Sequence, residues 1–210
     1  MLGPDALKLI EILSERMRLE PGMKVLDMGC GKGLTSIFLA KEFGVTVFAN
    51  DLWVSASENY KRFIAMGVED RVFPIKAEAH TLPYADGFFD AAISVDAYHY
   101  FGTDETYFPC NYARLVKSGG QFGMLSPGLT KEFYPALPER MRSLWEPDMY
   151  AFHSAQWWAS MWTKTGLVTD VAAESLPDGK ALWSATADGD LHAADDEGYL
   201  TLVLMTATKA

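Results

Sequence analysis

The sequence predicts a doubly wound α/β fold, a mostly parallel sheet with helices on both faces. Three observations carry that prediction. Short apolar or β-branched runs alternate with stretches of helical period over the first 128 residues. A glycine-rich turn, Gly29-Cys30-Gly31-Lys32-Gly33, joins the first such run to the first long helical stretch. The length of 210 residues, 49% apolar and 22% charged, suits one core of this kind, so 1–210 is read as a single domain.

In chain order, Leu7, Ile10, Leu13 and Met17 recur at helical spacing behind Asp5, which predicts a helix over 5–19 that Glu20-Pro21-Gly22 breaks. Met23 to Met28 reads as a buried first strand, and Leu34 to Phe43 as the helix after the glycine turn, up to Gly44. Val45 to Asn50 is β-branched and aromatic, hence a second strand, and Ser55 to Met66 is the next helix, ended by Gly67. Val72 to Lys76 and Phe89 to Val95 follow as the third and fourth strands. A helix is expected over Glu105 to Lys117, stopping at Ser118-Gly119-Gly120, then a fifth strand from Gln121 to Leu125 that ends at Ser126-Pro127-Gly128.

Residues 129–152, with Pro135, Pro138 and Pro147 and several aromatics, read as a cover over the C-terminal edge of the sheet. His153 to Lys164 is the sixth helix, Leu167 to Ala172 the sixth strand and Tyr199 to Thr208 the seventh. The acidic excursion over 175–198 reads as a loop.

Composition excludes several function classes. A net charge of −10 would repel a phosphate backbone, so a nucleic-acid partner is not expected. No apolar run is long enough to span a membrane, and the first residues lack a basic start followed by an apolar block, so a cytoplasmic location is expected. Cys30 and Cys110 are 80 residues apart without metal-ligand spacing, which predicts free thiols and no metal site.

A glycine turn between strand and helix offers bare backbone N–H groups and a helix N-terminus to a ligand. The phosphate-binding pattern fails, because Leu34 and Thr35 follow Gly33, and the dinucleotide fingerprint fails, because position 34 is not glycine. With its G-x-G-x-G spacing behind Val25-Leu26-Asp27, the segment resembles motif I of the class I S-adenosylmethionine-dependent methyltransferases.

Three further stretches share the resemblance, which covers residues 21–128: Asp51 after the second strand; Lys76-Ala77-Glu78-Ala79-His80 after the third; and the register of Ser94, Ala97 and His99 at the fourth. The family implies a Rossmann-like seven-stranded sheet whose last strand is antiparallel, and S-adenosylmethionine as cofactor, with S-adenosylhomocysteine as product. It implies that Asp27, Gly29, Cys30 and Gly31 meet the amino-acid end and ribose, that Asp51 accepts from ribose hydroxyls, and that Leu52 and Trp53 pack on the adenine. Asp51 equally suits a helix cap. Glu78 stands where many members carry Asp toward the adenine amino group, with Ala79 donating its backbone N–H and His80 close by. Val95 and Asp96 end the fourth strand, where the methyl group should point.

The acceptor is expected to be a small molecule methylated on N, O or S by in-line displacement, with methyl transfer to carbon or a non-catalytic cofactor-binding module as alternatives. His99 is the candidate base and Tyr98 its neighbour at the mouth, each equally open to a packing role. Trp145, Trp157, Trp158 and Trp162 cluster in the substrate-selecting half, although Trp158 and Trp162, four apart, also suit a core. The oligomeric state is not readable.

Overall fold

The computed structural model describes residues 4–185 and 188–210. Seven strands form one sheet in the order β3-β2-β1-β4-β5-β7-β6. They are β1 (Lys24–Met28), β2 (Thr46–Asp51), β3 (Val72–Lys76), β4 (Phe89–Val95), β5 (Val116–Leu129), β6 (Val168–Ser175) and β7 (Leu200–Lys209). β1 to β5 pair in parallel, whereas β7 runs antiparallel to both β5 and β6, as the resemblance implied.

Side chains of period two send alternate residues to the two faces of the sheet. Val25, Ile93, Leu125 and Leu204 join one cluster with Leu9, Ile10 and Leu13 of α1 (Ala6–Ser14) and Leu39 of α2 (Leu34–Phe43). Leu26, Ala92, Met124 and Met205 join the opposite cluster, which is aromatic, with Trp158 and Trp162 of α6 (Ala155–Thr163). Both faces are thus covered, which is why the central strands read as continuous apolar runs.

Several elements differ from expectation. α1 stops at Ser14, and Leu7 is exposed while Leu9 is buried in its place, although Asp5 does accept from the backbone N–H groups of Leu7 and Lys8. The helix expected over Glu105 to Lys117 is instead a short α4 (His99–Gly102), a π turn over Phe108–Tyr112 and a 3-10 turn over Ala113–Leu115. Pro109 lies inside that stretch and has no N–H to give an α-helical ladder.

β5 is longer at both ends than Gln121 to Leu125. Val116 already pairs with Phe89, and β7 extends the strand through Pro127 and Gly128 to Leu129. β4 ends at Val95 opposite Leu125, so β7 is the only neighbour of β5 beyond it, a setting that tolerates proline. The 129–152 cover contains α5 (Glu139–Arg142) and a 3-10 turn over Pro147–Ala151. The 175–198 excursion is not a plain loop: it holds α3-like short pieces, α7 (Gly179–Ser184) burying Trp183 and α8 (Gly189–Ala194) burying Leu191 and His192. The true α3 spans Ala56–Met66 and is ended by Gly67 in the left-handed conformation.

Candidate active site

In this strand order the chain builds outward one way from β1 and the other way from β4, so a crevice opens beyond their C-terminal ends. The glycine turn follows β1 there, and Asp96 to Tyr100 follow β4. Gly29, Gly31 and Gly33 all have positive φ, but they serve different neighbours. A Cβ on Gly29 would collide with Ala97, and one on Gly33 with the Phe63 ring, whereas one on Gly31 meets nothing within 4 Å. Gly29 and Gly33 allow close packing; Gly31 alone leaves bare backbone facing open space.

Two carboxylates brace the turn. Asp27 is 1% exposed, and its Oδ2 accepts from Thr35 Oγ1 at 2.6 Å and Ser36 Oγ at 2.5 Å. Its Oδ1 is buried without a partner among the described residues. Burial pushes the Asp27 carboxyl up to about 6 against those two bonds, with the Asp51 charge adding to the rise. Asp51 accepts from Gly31 N at 2.8 Å through Oδ2, and from Trp53 N and Val54 N at 2.8 and 2.7 Å through Oδ1. It therefore ties the turn after β2 to the glycine turn, while the cap position of α3 belongs to Ser55. A carboxylate has about four acceptor sites, so one stays free for a further donor.

Asn59 escaped the sequence reading. Its Nδ2 donates to the Gly31 carbonyl at 2.8 Å and approaches Cys30 Sγ at 3.7 Å, and its helical neighbour Phe63 packs under Gly33. The spacing of four between Asn59 and Phe63 on α3 was the available signal. Cys30 is buried, and burial, then Asp27 and Asp51, push its thiol well up. Leu52 and Trp53 are exposed, with the Trp53 ring edge-on to Tyr100 at 5.4 Å.

After β3, Glu78 turns back on its own segment. Its Oε2 accepts from His80 N at 2.8 Å and its Oε1 lies 2.6 Å from His80 Nδ1, so the carboxylate caps the 3-10 turn Ala79–Thr81. Ala79 is buried, and the His80 ring meets Tyr107 at 4.9 Å.

Beyond β4, Val95 is buried and Asp96 takes a φ of 54°, which turns the chain sharply. Tyr98 does not line the mouth. It is 0% exposed, accepts from Trp162 Nε1 at 3.1 Å and packs on Trp158, so its expected catalytic position is corrected to the aromatic core. His99 is also buried, with Nδ1 2.7 Å from Ser126 Oγ on β5 and Phe152 at 5.3 Å. Burial pushes its imidazole down to about 4, with Asp148 opposing, so it is neutral at pH 7. Burial, then Asp188, pushes the Asp96 carboxyl up to about 7.

The cover segments supply partners that no motif signalled: Asp148, Phe152, Trp183 and Asp188. Trp158 and Trp162 are core, Trp157 stacks on His153 at 3.7 Å, and Trp145 packs on Phe133 and Phe152. Two surface hollows, of about 280 and 690 Å³, lie elsewhere, one lined by Asp5, Leu9 and Ala181 and the other by Glu132, Gln156 and Glu174. We assign the chemistry to the crevice, because the strained turns and the buried, shifted carboxyls meet there.

Residues 25–120 match the methyltransferase domain family. Among curated relatives, the methyltransferase GfsG of Streptomyces halstedii is 30% identical over 192 residues, 85% of this chain and 66% of its own length. A sarcosine/dimethylglycine N-methyltransferase of Halorhodospira halochloris is 30% identical over 122 residues, 57% of this chain and 43% of its own. The chain thus spans about two thirds of one relative and under half of the other. The solved geranyl diphosphate C-methyltransferase of Streptomyces coelicolor A3(2), in complex with Mg2+, geranyl diphosphate and S-adenosyl-L-homocysteine, superposes with a TM-score of 0.79 at 17% identity, over 97% of this chain and 78% of that one. With the domain match running from β1 into β5 and the same fold recurring across nearly the whole chain, the chain belongs to the class I, Rossmann-like S-adenosylmethionine-dependent methyltransferases.

Proposed function

We propose that the chain moves a methyl group from S-adenosylmethionine to N, O or S of a small molecule. One observation carries the cofactor reading: of the three glycines, Gly31 alone faces open space, between the free acceptor capacity of Asp51 and the orphaned Oδ1 of Asp27. These residues fit an adenosyl amino acid. Gly31 gives close backbone approach, Asp27 suits an ammonium, and Asp51 suits ribose hydroxyls. Leu52 and Trp53 offer an apolar wall beside Asp51, and the backbone N–H of Ala79 is a candidate donor to adenine. Glu78 reaches adenine in this reading only by exchanging its bonds to His80, since both of its oxygens are engaged.

S-adenosylmethionine, when bound, supplies a methyl group already activated by its sulfonium. The remaining task of the chain is alignment, worth roughly 7–11 kcal/mol when geometry is right. His99, held at Nδ1 by Ser126, orients or deprotonates the acceptor in this proposal. Residues 21–128 serve the cofactor, and 129–152 with 153–210 select the acceptor. A second reading, transfer to carbon, has the support of the C-methyltransferase with the same fold. A cytoplasmic location remains part of the proposal, supported by the free thiols of Cys30 and Cys110.

Calorimetric titration with S-adenosylmethionine and S-adenosylhomocysteine tests the cofactor reading. Micromolar binding of both is expected, and binding of neither would overturn it.

A further inference from the structure

Where the residues after β4 meet the two cover segments, the charges are of one sign. The charge acting on Asp96 is Asp188; that acting on His99 is Asp148; those acting on Tyr100 are Asp148, Asp96 and Glu146. Among the described residues, none of these four carboxylates is paired with a lysine, arginine or histidine. Like charges gathered in a partly buried place repel one another unless a cation joins them.

Aromatic rings stand around the same carboxylates. Trp53 meets Tyr100 at 5.4 Å, and Phe152 meets both His99 at 5.3 Å and Trp183 at 5.4 Å. Trp183 Nε1 donates to Asp188 Oδ2 at 2.9 Å, which holds that carboxylate against the ring wall. Behind Trp183, at 4.8 Å, is His192, only 6% exposed, with neither ring nitrogen hydrogen-bonded among the described residues. A buried polar group left unbonded costs about 1–3 kcal/mol, so the orphaned imidazole marks this wall as built for more than packing. Ring faces and carboxylates together are the surroundings that suit an ammonium: the quadrupoles attract its charge, and the carboxylates take its N–H groups.

We propose that the acceptor site takes a cationic amine, its ammonium among Asp96, Asp148 and Asp188 and its substituents against Tyr100, Phe152 and Trp183. The proposal rests on the methyl-transfer reading above and narrows its acceptor to nitrogen. An anionic acceptor would face four carboxylates, and a neutral one would leave their repulsion in place. An ammonium has no lone pair until it gives up a proton. Asp96, pushed up to about 7, is a better acceptor for that proton at neutral pH than His99 at about 4. The N–H proton passes to an Asp96 carboxylate oxygen, and the electron pair of that bond becomes the nitrogen lone pair.

The test is a titration of the full chain with choline and with its neutral isostere, in which carbon replaces nitrogen, followed by tryptophan fluorescence with and without S-adenosylhomocysteine. Choline is expected to bind at least about tenfold more tightly than the isostere. Asp188→Asn and Asp96→Asn should each weaken choline about tenfold and leave the isostere unchanged. Asparagine keeps the shape of both side chains and tolerates the φ of 54° at position 96 and 55° at position 188. Thermal melts confirm folding, and either variant alone decides if the other unfolds. Equal binding of choline and the isostere, no binding of choline, or undiminished choline binding in a folded variant would each overturn the amine site. The S-adenosylhomocysteine titration reports separately: if choline binds and S-adenosylhomocysteine does not, the methyl-transfer reading fails while the cation site stands.

Discussion

The turn after β1 and the turn after β4 lie side by side at the crevice, yet they are held in opposite ways. The first is saturated with bonds: Asp51 takes three backbone N–H groups, Asp27 takes two hydroxyls, and Asn59 takes a carbonyl. The second has a carboxylate at positive φ, mostly buried and close to another carboxylate. Bonds hold the first in a single shape before any ligand arrives; repulsion leaves the second most stable when a ligand completes it. Recognition of a constant cofactor suits the former, and recognition of a charged acceptor suits the latter.

The largest effect that would break this contrast is at the glycines. Gly33→Ala should cost about 3 kcal/mol, from positive φ and the collision with Phe63 together, whereas Gly31→Ala should cost only about 1 kcal/mol but weaken cofactor binding. Urea unfolding of the two variants measures the gap, and equal losses would mean that Gly31 is structural too. Next, Asp51→Ala frees three backbone donors and should cost about 2 kcal/mol together with S-adenosylhomocysteine affinity. A variant of wild-type stability would show that the bonds at the first turn are dispensable.

Asp96→Asn should act in the other direction. A carboxyl raised in the fold from 3.8 to about 7 destabilises the native state above about pH 7, and that cost vanishes as pH falls toward 4. The variant should therefore be more stable than wild type by roughly 1–2 kcal/mol at pH 8 and equal to it near pH 4, as read from melts across that range. His99 has the opposite slope: its ring is lowered in the fold from 6.5 to about 4, so its contribution to stability grows as pH rises from about 4 to 6.5 and is lost in acid. His99→Gln should flatten that acid limb. The smallest change is expected from Trp53→Ala, within about 0.5 kcal/mol of wild-type stability because Trp53 is 72% exposed, with any loss confined to cofactor affinity.

The first turn was legible in the sequence because its geometry demands particular residues: positive φ calls for glycine, and Gly29, Gly31 and Gly33 announce it. β1, α2, β3 and β4 followed from apolar runs and capping glycines to within a residue of their ends. The second turn was not legible, because Asp96 reverses the chain without a glycine, and the residues beyond it are aimed by that reversal. Tyr98 enters the core for this reason, although its position along the chain suggested the mouth. α7 and α8 were hidden by composition, since acidic and small residues outnumber the few that anchor them, Trp183, Leu191 and His192. Asp148 and Asp188 lie 52 and 92 positions after Asp96, and only the folded chain brings them near it.

The place of β7 also bears on how the protein is made. It is the last strand in chain order, yet it is wedged between β5 and β6, and β6 touches the sheet through it alone. While the ribosome synthesises the roughly 70 residues between β5 and β7, at about 5–20 residues per second, β5 has an unclaimed edge for on the order of 4–14 s. Such an edge is an open invitation to a neighbouring nascent chain. Expression yield should therefore respond to the speed at which residues 130–199 are translated, and synonymous slow codons in that interval should favour aggregates of a chain whose finished form is unchanged.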